Sequence, residues 1–327
     1  MLGALRNLYS KQNLIRGIMV DRLLQKTYAR WLSHGNKGKV FTVFTEISSK
    51  CNLSCENCYR TKADYPSKNK NMRFDTFKDI VDSLPHGIQY LVTQGFGESA
   101  FNPDLKQMLQ YAKSSRKFQT IILDSNLLLK DADYYQSLFD DGLDRLIVSV
   151  DSFDQSICDQ LRKGTNIEKL IRNLTELVRH KSDHLHVRIT VSKTNIDNLE
   201  NTLSRLKTMN IQRVEIGMIV DYHNNKIALN DPDEKNLISI IKKFEKRINI
   251  LLDKYSACIL PFTAICFNVT GNIMPCCHIF DDEIINFGNI DSGLGDTYYS
   301  EEFNRIRSTF YKKMPSFCNG CPHYLKL

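Results

Sequence analysis

Residues 40–60 read VFTVFTEISSKCNLSCENCYR. The first eight, VFTVFTEI, are rich in β-branched and aromatic side chains, the composition of a buried strand. Cys51, Cys55 and Cys58 then fall within eight positions. A loop directly after a strand is where α/β folds place their ligands. A structural zinc site takes four ligands, usually two Cys-x-x-Cys pairs or cysteines with histidines at set spacing. Here the spacing is Cys-x3-Cys-x2-Cys, and no fourth Cys or His occurs between Tyr59 and His86. Three thiolates on one short loop suit an iron–sulfur cluster whose fourth iron is left open.

Outward from this loop, short β-rich runs alternate with longer amphipathic ones. VFTVFTEI precedes a helical pattern near 72–84, IQYLVTQ one near 103–115, and FQTIILD one near 132–140. RLIVSVD, LHVRITV and QRVEIGMI follow, with helices expected near 166–180, 196–208 and 233–253. Six successive βα units predict a parallel sheet with helical crossovers, either open and doubly wound or a partial barrel. After residue 253 the pattern changes to short β-like pieces, turns and cysteines. The chain therefore divides into residues 1–39, 40–253 and a small module over 254–327.

The chain of 327 residues is 42% hydrophobic, enough for a large core. No apolar run reaches the length of a membrane span, and the N-terminus lacks a secretory signal, so a cytoplasmic protein is expected. In such a protein the ten cysteines suggest metal ligands or reactive thiols rather than disulfides. Residues 1–40 carry Arg6, Lys11, Arg16, Arg22, Lys26, Arg30, Lys37 and Lys39 against Asp21 alone, an excess equal to the whole net charge of +7. The remainder is neutral and offers no field for nucleic acid. Apolar residues at near-helical spacing over 12–34 make this segment a basic amphipathic helix. It either packs on its own domain or lies peripherally on an anionic membrane; a transit peptide is a further reading.

Cys51-x3-Cys55-x2-Cys58 at the end of the first strand of a βα repeat resembles the signature of radical S-adenosylmethionine (SAM) enzymes. The resemblance implies an α/β fold, a partial (β/α)6 TIM-type barrel, and a [4Fe–4S] cluster whose open iron chelates SAM. It also implies reductive cleavage of SAM to a 5′-deoxyadenosyl radical that takes a hydrogen atom from substrate, with a flavodoxin- or ferredoxin-type electron donor. TQGFGESAFNPDL, residues 93–105, resembles the family's Gly-Gly-Glu-Pro segment, with Gly97 and Glu98 placed for the SAM amino group and Ser99 replacing the usual proline. GFGESA also fits a dinucleotide fingerprint with Asp124 as its later acid, but Asn102, Pro103 and Asp104 start the helix too late to aim its N-terminus at a pyrophosphate. DSNLLL resembles the third strand end of the family, with Ser125, Asn126 and, where glycine is common, Leu127. VSVDS resembles the fourth, with Ser149 and Asp151 as candidates for the SAM ribose. Arg162 and Arg188 are candidates for the SAM carboxylate, and Tyr59 follows the third cysteine. The strand-end polar residues can equally be helix caps, and the arginines surface ion pairs.

At the other end, Cys258 and Cys276 flank Gly271 in the pattern C-x12-G-x4-C, and Cys318 and Cys321 lie in CNGCP. By spacing alone these four suit zinc or a fully ligated cluster equally. The pattern, with FGNI and the helical YYSEEFNRIR between, resembles the auxiliary-cluster domain called SPASM in its shortened "twitch" form. That implies one auxiliary [4Fe–4S] cluster on Cys258, Cys276, Cys318 and Cys321. Cys266 is an alternative to Cys258. Cys266 and Cys158 also read as buried hydrophobes, and Cys277 is a candidate catalytic thiol or outer-shell partner.

A fully ligated auxiliary cluster has no site for substrate, so its expected work is to accept an electron. The expected reaction is dehydrogenation of a carbohydrate-like or natural-product substrate. A ribosomal-peptide maturase, a redox-neutral epimerase using a thiol, and a non-catalytic zinc-stabilised binding protein are the alternatives. The forty residues before the first strand are too few for a leader-binding domain, which places the peptide reading second.

Overall fold

Every β-rich run of residues 40–219 forms a strand, and each is followed by its helix. The computed structural model describes residues 26–32, 39–221, 223, 226–253, 258–319 and 321. The strands of the main sheet are β1 (Thr42–Thr45), β2 (Ile88–Thr93), β3 (Phe118–Ser125), β4 (Arg145–Ser149), β5 (Leu185–Val191), β6 (Arg213–Met218), β7 (Asn249–Asp253), β8 (Ala264–Phe267) and β9 (Ile273–Met274). Helices α1 (Phe74–Ser83), α2 (Leu105–Ser114), α3 (Ala132–Asp140), α4 (Ile167–Lys181), α5 (Leu199–Thr208) and α6 (Asp231–Phe244) cross between successive strands up to β7. Three of their starts are fixed by side-chain caps: the Asp131 carboxylate accepts from Tyr134 N–H, Asn166 from Lys169 N–H, and Asn230 forms a capping box with Asp233.

The sheet order is β9-β8-β1-β2-β3-β4-β5-β6-β7, parallel except for β9. It is the open, partial barrel of the α/β class. Side chains alternate across it. Val43, Leu91, Ile121, Leu123, Leu146, Val148, Val187, Ile189, Val214 and Ile216 belong to the main core with the helices. On the opposite face Phe44, Tyr90, Val92, Ile122 and Ile147 form a separate apolar cluster at the β1–β4 end. Beyond β4 the same face carries His186, Arg188, Thr190 and Glu215. The barrel interior therefore turns from apolar to charged across the sheet.

One expectation is corrected. The helix expected over 233–253 ends at Phe244, and INILLD supplies a seventh parallel strand. Ile248, Ile250 and Leu252 are buried while Leu251 is half exposed, a period of two hidden in a short apolar run. In addition, β8 pairs in parallel with β1 in the register Phe44↔Cys266, so the cysteine-rich C-terminal segment continues the barrel sheet. Of the basic amphipathic segment, residues 26–32 are helical. Ala29 and Leu32 are buried against Cys258, Phe262, Phe310, Tyr311 and Cys318. Residues 1–25 and 33–38 lie outside the described residues. Among the described residues no helix is long and apolar enough to cross a membrane.

Candidate active site

The three-cysteine loop leaves β1 at the carboxyl edge of the sheet, and the loop after β2 clamps it. Glu98 N–H donates to Lys50 O at 2.7 Å. A Cβ on Gly97 would stand 2.2 Å from Ser48 O and 2.6 Å from the Ser49 backbone, so only glycine permits this approach. A Cβ on Gly95 would overlap the side chain of Glu46. Glu46 is fully buried, and its Oε1 accepts from Phe96 N–H at 2.8 Å. Burial pushes its carboxyl up to about 8, against the pull of backbone donors.

Around this loop is a cavity of about 330 Å3 lined by Cys51, Cys55, Cys58, Gly97, Glu98, Ser125, Asn126, Ser149, Arg162 and Arg188, together with Gln94, Asp124 and Cys277. Glu98 is 2% exposed. It accepts from Ser125 Oγ at 2.9 Å, Asn126 N–H at 2.8 Å and Ala100 N–H at 3.3 Å. Burial raises its pKa, and these donors oppose the rise. A carboxylate has about four lone-pair sites, so one further donor can be accepted. Leu127, where the resemblance has glycine, adopts φ 62°, a left-handed conformation fixed by its N–H to Ser125 Oγ and by Asn173 on its carbonyl. Burial lifts the thiols of Cys51 and Cys55 to about 11.

A central cavity of about 360 Å3 shares Gln94, Thr190 and Cys277 with the first and is also lined by Phe44, Asn57, Asp151 and Gly217. Its arginines are ion-paired. Arg162 meets Asp151 at 3.2 Å, and Arg188 meets Asp124 at 2.5 Å and Glu215 at 2.7 Å. Burial alone would raise Glu215, but His186 and Arg188 hold it at about 2.

A third cavity of about 370 Å3 is lined by Cys258, Cys276, Cys318 and Cys321 with Leu260, Phe310 and Phe317. Cys266 lines none of the three; it is 1% exposed, packed with Met274 and Phe280. Cys158 is equally buried, its Sγ 3.4 Å from Ser152 O. Tyr59, expected at the SAM cavity, faces the third one and donates to Asp281 Oδ2 at 2.6 Å. Phe96 lines both the first and third cavities, stacked on Tyr59 at 5.0 Å and edge-on to Phe280 at 5.5 Å. His278 lines all three. Sequence reasoning missed Gln94, Thr190, Glu46 and His278, and saw Asp124 only as part of a rejected fingerprint. Strand-end position was the available signal for the first two and for Asp124.

Residues 45–206 match the Radical SAM superfamily, and residues 258–322 match an iron–sulfur cluster-binding domain, SPASM. A "Probable GTP 3′,8-cyclase" of Methanococcus maripaludis is 29% identical over 175 residues, 53% of this chain and 55% of that protein. A tungsten-containing aldehyde ferredoxin oxidoreductase cofactor-modifying protein of Pyrococcus furiosus is 24% identical over 187 residues, 54% of this chain and 51% of that one. The chain thus spans about half the length of these curated relatives. Among solved structures, native anSMEcpe with bound AdoMet shares the fold at a TM-score of 0.67 and 16% identity, covering 86% of each chain. Streptococcus suis SuiB bound to S-adenosylmethionine does so at 0.67 and 13%, covering 90% of this chain and 73% of that one.

The residues present fit the groups these domains imply. Among the described residues no three ligating side chains converge on a single-ion position. Instead three cysteines share one cavity wall and four share another. Polar atoms left buried without a partner, Asn57 Oδ1 and Asp124 Oδ1, belong to residues lining the central and first cavities. The cofactors are accordingly SAM with a [4Fe–4S] cluster and an auxiliary iron–sulfur centre, and the chain belongs to the radical SAM superfamily, as a member with a SPASM domain.

Proposed function

We propose that this enzyme dehydrogenates a neutral, polyhydroxylated substrate, using the cysteine-lined third cavity as the seat of the electron acceptor. The observation that carries the reading is the shared wall: Phe96 and His278 line both the first and the third cavity. In this reading Cys51, Cys55 and Cys58 hold the SAM cluster, and Cys258, Cys276, Cys318 and Cys321 hold the auxiliary one. When bound, these groups supply one-electron cleavage of SAM, hydrogen-atom abstraction and an electron sink. Glu98 orients the SAM amino group, Ser125 and Asn126 fix Glu98, and Arg162 and Arg188 face the SAM carboxylate. Ser149 and Asp151 serve the ribose. Substrate then occupies the central cavity beside Asn57, Gln94 and Thr190, whose amides and hydroxyl match alcohol groups.

The GTP cyclase relatives raise a nucleotide triphosphate as substrate. The two arginines of the central cavity meet three carboxylates, Asp151, Asp124 and Glu215, and so bring no net positive charge to a triphosphate, whereas SAM presents one carboxylate beside its own cationic groups. One observation favours a second reading, redox-neutral epimerisation: Cys277 lines both the first and the central cavity, where a thiol could return a hydrogen atom. A flavodoxin- or ferredoxin-type donor and a cytoplasmic setting complete the proposal.

The test is anaerobic incubation of cluster-loaded protein with SAM, dithionite and C-perdeuterated myo-inositol, scyllo-inositol and glucitol. Deuterium in 5′-deoxyadenosine with one ketone per SAM consumed supports dehydrogenation, and Cys277→Ala leaves it largely intact. Deuterium transfer without a ketone, abolished in Cys277→Ala, selects the epimerase. No deuterium transfer from any of the three sinks the polyol reading.

A further inference from the structure

In the dehydrogenase reading, on which this inference rests, the central cavity must house the carbon frame of a polyol as well as its hydroxyls. We propose that Gly217 is the specificity-determining residue of that cavity: its missing side chain leaves the room that a cyclic polyol fills, so that ring substrates are favoured over open-chain ones. Gly217 lies in β6, and among the described residues no other glycine falls inside a strand. A glycine there costs stability, because it brings no side chain to pack and gives the unfolded chain extra freedom. Elsewhere the cost has a local reason. Gly97 is imposed by the 2.2 Å approach of Ser48 O, and Gly271 by a φ of 82°. Neither reason holds at Gly217. Its φ lies outside the left-handed region, and a Cβ built there would meet no atom within 4 Å.

The open space belongs to the substrate side of the barrel. Val214 and Ile216 pack with the helices, so Glu215 and Gly217 face the interior. In register across from them on β5 stand Arg188 opposite Glu215 and Thr190 opposite Gly217. The lower layer is closed by the ion pair of Arg188 with Glu215 at 2.7 Å. On these two strands the next layer, nearer the carboxyl ends, consists of the Thr190 side chain and the bare Cα of Gly217. Flanked in register by Thr190 of β5 and Asp253 of β7, the Gly217 backbone serves the sheet, and what it offers the cavity is the missing side chain. Gly217 lines the central cavity and not the first, whereas Thr190 and Gln94 line both. Apolar Phe44, Met218, Ile219 and Leu260 line the central cavity as well. A cyclic polyol presents a flat face of C–H bonds and an edge of hydroxyls. Its face suits the bare strand and the apolar part of the lining, and its edge suits Asn57, Gln94 and Thr190. A saturated ring is wider than an extended chain of equal carbon count, so a side chain at 217 obstructs the ring first.

The experiment compares wild type, Gly217→Ala and Gly217→Val as anaerobic holoenzymes with SAM, dithionite and the three perdeuterated polyols. Because a Cβ meets nothing, Gly217→Ala is expected to unfold no lower than wild type and up to about 3 °C higher. Both variants are expected to keep their iron and to bind SAM, by calorimetry without turnover, within about twofold of wild type. Read as deuterium transfer to 5′-deoxyadenosine, KM for the inositols should rise about tenfold in Gly217→Ala and roughly 10²-fold in Gly217→Val, at a kcat within about threefold, with glucitol affected about tenfold less. An unchanged inositol KM in Gly217→Val, or equal losses for inositol and glucitol, overturns the proposal while leaving the dehydrogenase reading intact. So does a wild type that oxidises glucitol and neither inositol. Weakened SAM binding in Gly217→Ala would assign the space to the adenosyl group, and a lowered unfolding temperature would assign the glycine to the fold; each overturns it. A wild type that transfers no deuterium from any of the three fails at the earlier step and sinks both.

Discussion

The two cysteine-lined cavities are assembled by opposite means. The first takes its cysteines from one loop of eight residues and surrounds them with Glu98, Asn126, Arg162 and Asp124, a wall of hydrogen bonds and ion pairs. The third gathers Cys258, Cys276, Cys318 and Cys321 from distant segments and surrounds them with Leu260, Phe310 and Phe317. A polar wall can orient a charged, zwitterionic ligand through directed donors and acceptors. An apolar wall offers no such grip but excludes water from a buried centre, a lever on its potential. The contrast matches the proposed division, in which the first cavity holds SAM and the third holds the electron acceptor.

Cysteine substitutions should break that contrast most sharply. Cys55→Ser is expected to abolish SAM cleavage altogether, measured as 5′-deoxyadenosine. Cys258→Ser or Cys318→Ser is expected to lose about four iron atoms per chain and nearly all ketone while retaining SAM cleavage. Cys266→Ala, altering a core residue that lines none of the three cavities, should keep its full iron content and lose only about 1 kcal/mol of stability. Iron loss in Cys266→Ala with full iron in Cys258→Ser would redraw the ligand set of the third cavity. A smaller effect tests the polar wall. In Gly97→Ala the new methyl would stand 2.2 Å from Ser48 O, a backbone atom that must move with the cysteine loop. A loss of roughly 1–3 kcal/mol, seen as weaker SAM binding by calorimetry with little change in auxiliary-cluster absorbance, is expected. Equal damage to both clusters would mean that the two walls are not independent.

The same contrast explains what could be read in advance. Contiguous features were legible: the Cys51, Cys55 and Cys58 spacing, the Gly97-Glu98 turn, and strand ends at Ser125 and Ser149 follow from local pattern. The β7 strand was not, because four apolar residues of INILLD continue the preceding helical pattern and only burial reveals their alternation. Spacing also could not choose between Cys258 and Cys266. The pairing of β8 with β1 turns Cys266 into the Met274 and Phe280 cluster, a placement that follows from the sheet and not from spacing. Asp124, Arg188 and Glu215 meet across β3, β5 and β6, and no single-strand pattern encodes a triad that exists only once the sheet is wound.

The finest test of the comparison is the partition between the cavities. Phe96 forms that partition, and Glu46 holds its backbone N–H from behind. Burial lifts the Glu46 pKa to about 8, whereas an unfolded chain returns it to about 4.3. Between those values the unfolded state sheds a proton that the folded state keeps, so stability falls as pH rises through the window. Below it both states are protonated, and above it both are ionised, with the cost fully incurred. Glu46→Gln retains an acceptor for Phe96 N–H and has no proton to lose. It should match wild type near pH 4.5 and exceed it at pH 8 by on the order of 1 kcal/mol, since relaxation around the buried charge absorbs part of the full linkage cost. Thermal unfolding of the full chain at the two pH values reads this directly. An equal offset at both would show that the carboxyl contributes by shape alone, and that the aromatic wall is indifferent to the charge behind it.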